Sequence, residues 1–208
     1  MREAGALALA DFREGATAAT RSWSKEGGSP VSDADLAVDK FLRDRLSALL
    51  PDAGWLSEET ADDHVRLGRR HVWIVDPIDG TRAFLNGRPG WCVSVALVED
   101  GRAVHGALFA PKHAAYYEAQ AGGGATRNGT AIAASKCRLL TGARKPAHNL
   151  SKGEQELVAV PCPNSIALRL AMVASGSADL VYTTRRGAEW DIAAAQRQQA
   201  RLPRQGLT

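Results

Sequence analysis

The sequence predicts an α/β (α+β) fold that combines helices with a largely antiparallel sheet. Three observations support this class. Residues 72–75 form a short β-branched run, residues 91–119 contain three strand-like segments, and residues 34–50 and 166–175 space their apolar side chains as helices do. Turn residues at 99–101 and 111–113 separate the three segments, so we expect an antiparallel meander.

The N-terminal part predicts two helices. Residues 2–22 are amphipathic and precede a Gly-Gly-Ser-Pro break, which favours one helix over this whole stretch. The second helix is expected over 34–50, with Ser32 or Asp33 as its cap. Asp35 falls in its first turn, where an acid complements the helix dipole.

The C-terminal part has weaker patterns. Residues 135–163 are polar and show no clear period, whereas 179–183 reads as a short strand before a helix that has Asp191 at its start. We therefore expect two units. Residues 1–134 would carry helices and most of the sheet, and 135–208 would form a smaller α/β part.

Composition describes an ordinary globular protein that can bury one substantial core. The chain has 208 residues, of which 45% are apolar and 24% charged, and a formal charge of +3. It has no basic stripe interleaved with aromatic residues, so nucleic-acid binding is unsupported. No apolar run approaches the ~20 residues that cross a membrane. Its three scattered cysteines indicate a reducing compartment without structural disulfides, so the expected location is the cytoplasm.

The most informative stretch is Asp76-Pro77-Ile78-Asp79-Gly80-Thr81, at the end of the apolar run. Pro77 cannot extend a strand ladder and Gly80 permits unusual backbone angles, so two carboxylates should sit on a turn with a hydroxyl behind them. Two such acids need a partner, and a metal ion is the simplest one. A purely structural role, as a helix cap or a turn residue, would explain Asp76 or Asp79 alone. It would not explain the whole Asp-Pro-Ile-Asp-Gly-Thr sequence.

An aspartyl-phosphate mechanism of the haloacid dehalogenase type does not fit this spacing. Such enzymes place a nucleophilic Asp two residues before the second Asp of the turn, and here that position is Pro77. The sequence also lacks a GxSxG elbow and metal-ligand spacing among its histidines. The acids are therefore interpreted as metal ligands.

Four segments together resemble one family, the inositol monophosphatases. They are residues 31–35 (VSDAD), 57–59 (SEE), 73–81 (WIVDPIDGT) and 189–194 (EWDIAA), in the order that the family has them. The wider superfamily includes 3′(2′),5′-bisphosphate nucleotidases, histidinol-phosphate phosphatases and, more distantly, fructose-1,6-bisphosphatases. The resemblance implies a layered α-β-α-β sandwich, which would be shortened at the C-terminus.

The resemblance also implies the metal ligands. Glu58, Asp76 and the backbone carbonyl of Ile78 would bind one Mg²⁺, and Asp76, Asp79 and Asp191 a second one. Hard oxygen ligands suit this ion. Two or more ions are expected, and Li⁺ is expected to inhibit.

By the same resemblance, Thr81 and Asp35 would position and deprotonate the attacking water, with Glu59 as an adjacent acid. The amides of Gly80 and Thr81 would hold the phosphate. The implied substrate contacts are Ile78, Asp79, Gly80, Thr81 and Asp191.

Two other positions near the site are noted. Lys25 could reach a phosphate, but we interpret it as an exposed loop residue. Asn164-Ser165 stands where relatives place a Gly-Ser/Thr pair near the substrate.

The function implied is a Mg²⁺-dependent phosphomonoesterase that hydrolyses inositol monophosphate or a similar small phosphate ester. No nucleic-acid or membrane partner is expected, and the resemblance is compatible with a homodimer. A bisphosphate nucleotidase is an alternative, because Arg185-Arg186 could meet a second phosphate. Arg82 and Trp91 are similar to residues of histidinol-phosphate phosphatases. A non-catalytic metal-binding relic is the alternative from another class, because the C-terminus looks shortened.

Overall fold

The computed structural model describes residues 1–62, 64–182 and 188–199. Its helices are α1 (Arg2–Asp11), α2 (Asp33–Leu49), α3 (Thr81–Leu85), α4 (Ile166–Ala174) and α5 (Glu189–Gln199). Its strands are β1 (Ser22–Ser24), β2 (Pro30–Ser32), β3 (Gly54–Ser57), β4 (His71–Asp79), β5 (Cys92–Glu99), β6 (Arg102–Ala110), β7 (Ala115–Gln120), β8 (Gly124–Arg127), β9 (Thr130–Ala131), β10 (Arg144–Pro146) and β11 (Val158–Val160). Short 3-10 turns lie at Val65–Gly68, Pro111–His113 and Lys152–Glu154.

One seven-stranded sheet forms the centre, in the order β3-β4-β5-β6-β7-β8-β9. β3 pairs with β4 in parallel, and every later neighbour in this sheet is antiparallel. The predicted meander is confirmed as β5, β6 and β7. Two smaller sheets, β1 with β2 and β10 with β11, lie outside it.

The two faces of the large sheet are covered by different helices. Ile74 and Cys92 pack on one face with residues of α4 and α5, whereas their neighbours Val75 and Val93 pack on the other with residues of α1 and α2. This alternation follows from the pleat, because successive side chains of a strand point to opposite faces. The result is the predicted layered α/β sandwich.

A capping box starts α2 and buries Asp35. The side chain of Ser32 accepts a hydrogen bond from the backbone N–H of Asp35, and Asp35 Oδ2 accepts one from the backbone N–H of Ser32 at 2.9 Å. Of the two caps that the sequence allowed, the structure uses Ser32. The other carboxylate oxygen of Asp35 is left to face inwards.

A bulge in β4 decides where its two aspartates point. Asp76 pairs with Ser94 and Asp79 with Cys92, so three steps along β4 are matched by two along β5. In a regular strand, residues three apart face opposite sides of the sheet. The bulge at Pro77-Ile78 adds one residue to β4 and so shifts the alternation of side chains by one. Asp76 and Asp79 therefore point to the same side of the sheet.

The predicted helix over residues 2–22 is wrong beyond Asp11, where α1 ends. Gly15 has a φ of +72°, a left-handed value that does not continue a helix. Its N–H donates to the carbonyl of Gly87 at 2.9 Å, and Ala18 N–H donates to the carbonyl of Leu85 at 3.0 Å. Residues 15–18 are therefore held by α3 and the turn that follows it.

The predicted strand at 179–183 is also wrong over its described part, residues 179–182. Asp179 accepts hydrogen bonds from Arg144 and Ser135. Its backbone N–H, like that of Leu180, donates to the carbonyl of Arg144. Hydrogen bonds to the Asp179 side chain and to the Arg144 carbonyl thus take the place of strand pairing here.

The predicted helix α4 is confirmed. Residues 135–163, for which no pattern was found, contain the short strands β10 and β11.

Other predictions concern the whole chain. Among the described helices, none is long and apolar enough to cross a membrane. Cys92, Cys137 and Cys162 are all free. The division at residue 134 stays a prediction, as do the cytoplasmic location and the lack of a nucleic-acid partner.

Candidate metal centre

Three aspartates converge at the carboxyl end of β4. Asp76, Asp79 and Asp191 each present one carboxylate oxygen, and these oxygens lie within 4.8 Å of one another. The bulge in β4 brings the first two together, and the first turn of α5 supplies the third. Like charges at this distance repel one another unless a cation lies between them.

Asp76 is the least satisfied of the three. It is 1% exposed, and its Oδ1 has no hydrogen-bond partner within residues 1–62, 64–182 and 188–199. Burial, followed by the charges of Asp79, Glu58 and Asp191, raises the pKa of Asp76 well above its usual value. A buried carboxylate without a donor is unstable as a free anion, so it needs a proton or a metal ion.

Asp79 is held by the start of α4. It accepts a hydrogen bond from Ser165 Oγ at 2.6 Å, from the N–H of Ala167 at 2.7 Å and from the N–H of Ile166 at 3.3 Å. Burial raises the pKa of Asp79 to about 7, although these hydrogen bonds oppose the shift. A carboxylate has about four acceptor sites, so Asp79 keeps capacity for a cation.

Asp191 connects the last described helix to the site. It is half-buried, and its Oδ2 accepts a hydrogen bond from the N–H of Ala188 at 2.7 Å. Burial raises the pKa of Asp191, the Ala188 bond opposes this, and the charge of Glu58 raises it further. The structure thus places Asp191 beside Asp76 and Asp79.

Glu58 and Glu59 share a cation, Lys25. Lys25 Nζ lies 3.1 Å from Glu58 Oε1 and 2.8 Å from Glu59 Oε2, and it donates to the Glu58 carbonyl at 3.2 Å. The interpretation of Lys25 as an exposed loop residue is wrong, since its side chain is 24% exposed. The hairpin of β1 and β2 carries it over the site, a placement that its sequence neighbours do not indicate.

The two glutamates differ in their surroundings. Burial raises the pKa of Glu59 to about 7, although the hydrogen bond and charge of Lys25 oppose the shift. Glu58 is not one of the three acids within 4.8 Å, yet its charge raises the pKa values of Asp76 and Asp191. Glu58 lies beside β4, where its backbone N–H donates to the carbonyl of Val75 at 3.3 Å.

Thr81 connects Asp35 to this cluster. Thr81 Oγ1 lies 3.2 Å from Asp35 Oδ1 and 3.0 Å from the carbonyl oxygen of Ile78, and its one proton can serve either acceptor. Burial raises the pKa of Asp35 to about 6, against the opposing hydrogen bonds from Ser32 and Thr81. A carboxylate with such a pKa can accept a proton near neutral pH.

Gly80 makes the close packing around Thr81 possible. Its φ is +100°, and a Cβ there would approach Gly90 O and Ser165 N to 3.1 Å. The turn, the loop before β5 and the start of α4 therefore meet at Gly80. A side chain at this position would separate Thr81 from Asp79's partners on α4.

Sequence reasoning identified the acids but missed the roles of Ser165 and Lys25. The sequence placed Ser165 only in a pair near the substrate, and the signal for its role was its position before an apolar helical stretch, where a serine can cap the helix. Arg185-Arg186, considered for a second phosphate, lies outside the described residues.

The donor set fits a hard divalent cation. Among the described residues it consists of three carboxylate oxygens without sulfur or imidazole, and Oδ1 of the buried Asp76 has no hydrogen-bond partner among them. Mg²⁺ prefers such ligands and retains water or phosphate oxygens as further ones.

Comparisons with known proteins agree with this geometry. The model of the inositol monophosphatase family matches residues 1–197. An inositol-1-monophosphatase of Bacillus subtilis (strain 168) is 31% identical, over 93% of this chain and 77% of its own length. A histidinol-phosphatase of Chlorobaculum parvum is 38% identical over 54% of this chain, and the match spans 43% of the relative's length.

A solved structure gives the same result for the fold. The extragenic suppressor protein suhB from Bartonella henselae superposes with a TM-score of 0.81 at 28% identity, covering 94% of this chain and 79% of that one. Members of the matching family are metal-dependent phosphatases. The fold, the acid cluster and the family match lead to one conclusion: this chain belongs to the inositol monophosphatase family.

Proposed function

We propose that this chain is a Mg²⁺-dependent phosphomonoesterase that hydrolyses a small phosphate ester. The unpartnered Oδ1 of Asp76, amid three converging carboxylates, is the observation that carries the proposal. It points to a bound cation, and the family supplies the class of reaction. A non-catalytic relic would have no need to keep the Asp35–Thr81 pair beside that centre.

The proposed ligands are Asp76, Asp79, Asp191, Glu58 and the carbonyl of Ile78. When bound, two or more Mg²⁺ ions would neutralise phosphate charge and lower the pKa of the attacking water. Release of Lys25 from Glu58 would free a carboxylate oxygen for this purpose.

The chain's own proton path begins at Thr81. Thr81 Oγ1 would accept a proton from the attacking water while passing its own proton to Asp35 Oδ1, 3.2 Å away. Ser32 holds the opposite oxygen of Asp35 by its backbone N–H, so the acceptor oxygen stays aimed at Thr81. Glu59, kept near Lys25, would hold a further proton close to the centre.

The substrate contacts proposed are those of Ile78, Asp79, Gly80, Thr81 and Asp191. Inositol monophosphate, a 3′(2′),5′-bisphosphate nucleotide and histidinol phosphate are the candidates that relatives and resemblance provide. The substrate would be a small phosphorylated molecule, Li⁺ would inhibit the reaction, and the protein could form a homodimer.

The test combines a substrate panel with metal titration. Phosphate release would be measured for inositol 1-phosphate, histidinol phosphate and adenosine 3′,5′-bisphosphate, with Mg²⁺ and with EDTA. We expect turnover of at least one substrate only with Mg²⁺, and its loss in Asp79→Asn without loss of the fold. Mg²⁺-dependent stabilisation without turnover of any ester would overturn the proposal and favour the relic.

A further inference from the structure

Arg66 connects two segments that lie far apart in the chain. It belongs to the 3-10 turn Val65–Gly68. Its Nε and Nη2 donate to Asp62 Oδ2 at 3.0 and 2.9 Å, and Nη2 also donates to Glu189 Oε2 at 3.2 Å. The Arg66 side chain is 14% exposed, which reduces the screening of these bonds by solvent. One guanidinium group thus joins the loop after β3 to the first turn of α5.

The backbone of Arg66 is fixed by β3. A Cβ on Gly54, the first residue of that strand, would lie 2.7 Å from Arg66 Cα, so the 3-10 turn rests directly on the strand. β3 ends at Ser57, and Glu58 follows it. The position of the Arg66 backbone is therefore set by the strand that leads to a proposed metal ligand.

The other partner of Arg66 lies on the helix that carries Asp191. Glu189 and Asp191 both belong to the first turn of α5. A cavity of about 280 Å³ is lined by Arg66 of the 3-10 turn and by Glu189 and Ile192 of α5. Unfilled space beside a helix leaves fewer packing contacts to fix its position. The ion pair at this cavity therefore contributes to holding the first turn of α5 in place.

Arg70, which lines the same cavity, shows how this ion pair differs from an ordinary one. Arg70 Nη2 lies 2.9 Å from Glu99 Oε1, and the Arg70 side chain is 69% exposed. Glu99 is already the partner of His71 in the ladder of β4 and β5, so this ion pair joins segments that the sheet holds together. Arg66 and Glu189 belong to a turn and a helix, and their ion pair joins segments that no sheet ladder connects.

We propose that Arg66 is a positioning residue of the metal site. By binding Asp62 and Glu189 at once, it holds the first turn of α5 against the loop that follows β3, and so keeps Asp191 in place beside the other proposed ligands. This rests on the proposed Mg²⁺ site, to which it adds a residue that acts through the position of Asp191.

The test is the dissociation constant of Mg²⁺, measured by calorimetry on Arg66→Gln. Loss of a cation would by charge alone tighten Mg²⁺ binding, whereas loss of positioning weakens it, so the sign of the change decides. We expect the constant to rise by about threefold, the scale of a partly exposed ion pair. A purely stabilising role of Arg66 would lower the unfolding temperature in EDTA and leave the dissociation constant of the folded protein unchanged.

Arg70→Gln is the matched control, because it removes the same charge from the same cavity. It should bind Mg²⁺ at least as tightly as the wild type does.

A double-mutant cycle with Glu189→Gln tests the ion pair itself. If Arg66 acts through Glu189, the dissociation constant of the double variant should match that of the weaker-binding single variant. Unchanged or tighter Mg²⁺ binding in Arg66→Gln would overturn the proposal. So would a double variant whose change is the product of the two single changes.

The wild-type protein decides separately on the metal site. If it shows neither heat of binding nor a shift in unfolding temperature with Mg²⁺, the metal site fails, and amide hydrogen exchange in EDTA then tests Arg66. The N–H groups of residues 193–195 bond to the carbonyls of the first turn of α5, as in any α-helix. Faster exchange of these amides in Arg66→Gln than in Arg70→Gln supports the role of Arg66, and equal exchange rejects it.

Discussion

Ser165 donates a 2.6 Å hydrogen bond to Asp79 and at the same time caps α4, where its Oγ accepts the N–H of Leu168 at 2.9 Å. One buried hydroxyl therefore joins a proposed metal ligand to the helix behind it. Because the bond favours the charged form of Asp79, Ser165 keeps this carboxylate closer to the state that binds a cation.

We expect Ser165→Ala to lower the free energy of unfolding by about 1 kcal/mol through loss of the cap. It should also raise the pKa of Asp79, so that stabilisation by Mg²⁺ begins at a higher pH. Thermal unfolding with and without Mg²⁺ across pH measures both effects. Ser165→Thr keeps the hydroxyl and should retain the wild-type pH midpoint, and the same midpoint in the Ala variant would contradict this role.

Asp76→Asn should have opposite effects on metal-free and metal-bound protein. The amide cannot ionise, so it removes the cost of a buried charge beside Asp79 and Glu58, and the unfolding temperature in EDTA should rise at the pH values where Asp76 of the wild type is ionised. Mg²⁺ should then add little stability, and activity should fall by more than about a hundredfold, since even groups behind metal ligands are worth 10–100-fold. A variant that Mg²⁺ stabilises as strongly as it does the wild type would refute the ligand assignment.

Lys25→Met should strengthen Mg²⁺ binding. The ammonium group of Lys25 forms ion pairs with Glu58 and Glu59, so its removal makes the net charge of the site more negative by one. We expect the dissociation constant measured by calorimetry to fall by about threefold to tenfold. Lys40→Met, which removes an exposed pair with Asp44, is the control and should bind as the wild type does. Weaker binding in Lys25→Met would show that the ammonium supports the metal site.

The metal-free protein should lose stability as pH rises. The pKa values of Asp35, Glu59 and Asp79 are raised to about 6, 7 and 7, above the values of 3.8, 4.5 and 3.8 for free side chains. Between about pH 4 and about pH 7 the folded state thus binds more protons than the unfolded state, so the free energy of unfolding falls with pH.

Thermal unfolding in EDTA from about pH 5 to about pH 8 measures this decline. Mg²⁺ binds the deprotonated acids, so its stabilising effect should grow over the same range. A melting temperature in EDTA that rises through this window would contradict the raised pKa values.

Gly106→Ala should disturb the site from outside it. A Cβ on Gly106 of β6 would lie 2.3 Å from the carbonyl oxygen of Ala194, so α5 and with it Asp191 would have to move. We expect a lower unfolding temperature and weaker Mg²⁺ binding. Gly123→Ala is the control, because its Cβ would meet nothing closer than 3.5 Å. Equal effects of the two changes would exclude this explanation.

Local patterns predicted the elements whose stability is local. The meander, α2 and α4 follow from periodicity and capping, and the acids at the end of β4 follow from their motif. The end of α1 was missed because residues 15–18 donate hydrogen bonds to the end of α3 and the turn after it, which lie far along the chain. Lys25 and Ser165 reach the acids only through tertiary packing, and the bulge at Pro77-Ile78 is a property of strand pairing.

Asp191 sits on the last described helix, while its companions sit on a central strand formed much earlier in the chain. During synthesis, the cation pocket therefore stays incomplete until α5 has left the ribosome. A nascent or proteolysed chain that lacks α5 would contain Asp76 and Asp79 but not Asp191. Its affinity for Mg²⁺ should therefore be lower than that of a chain that includes α5.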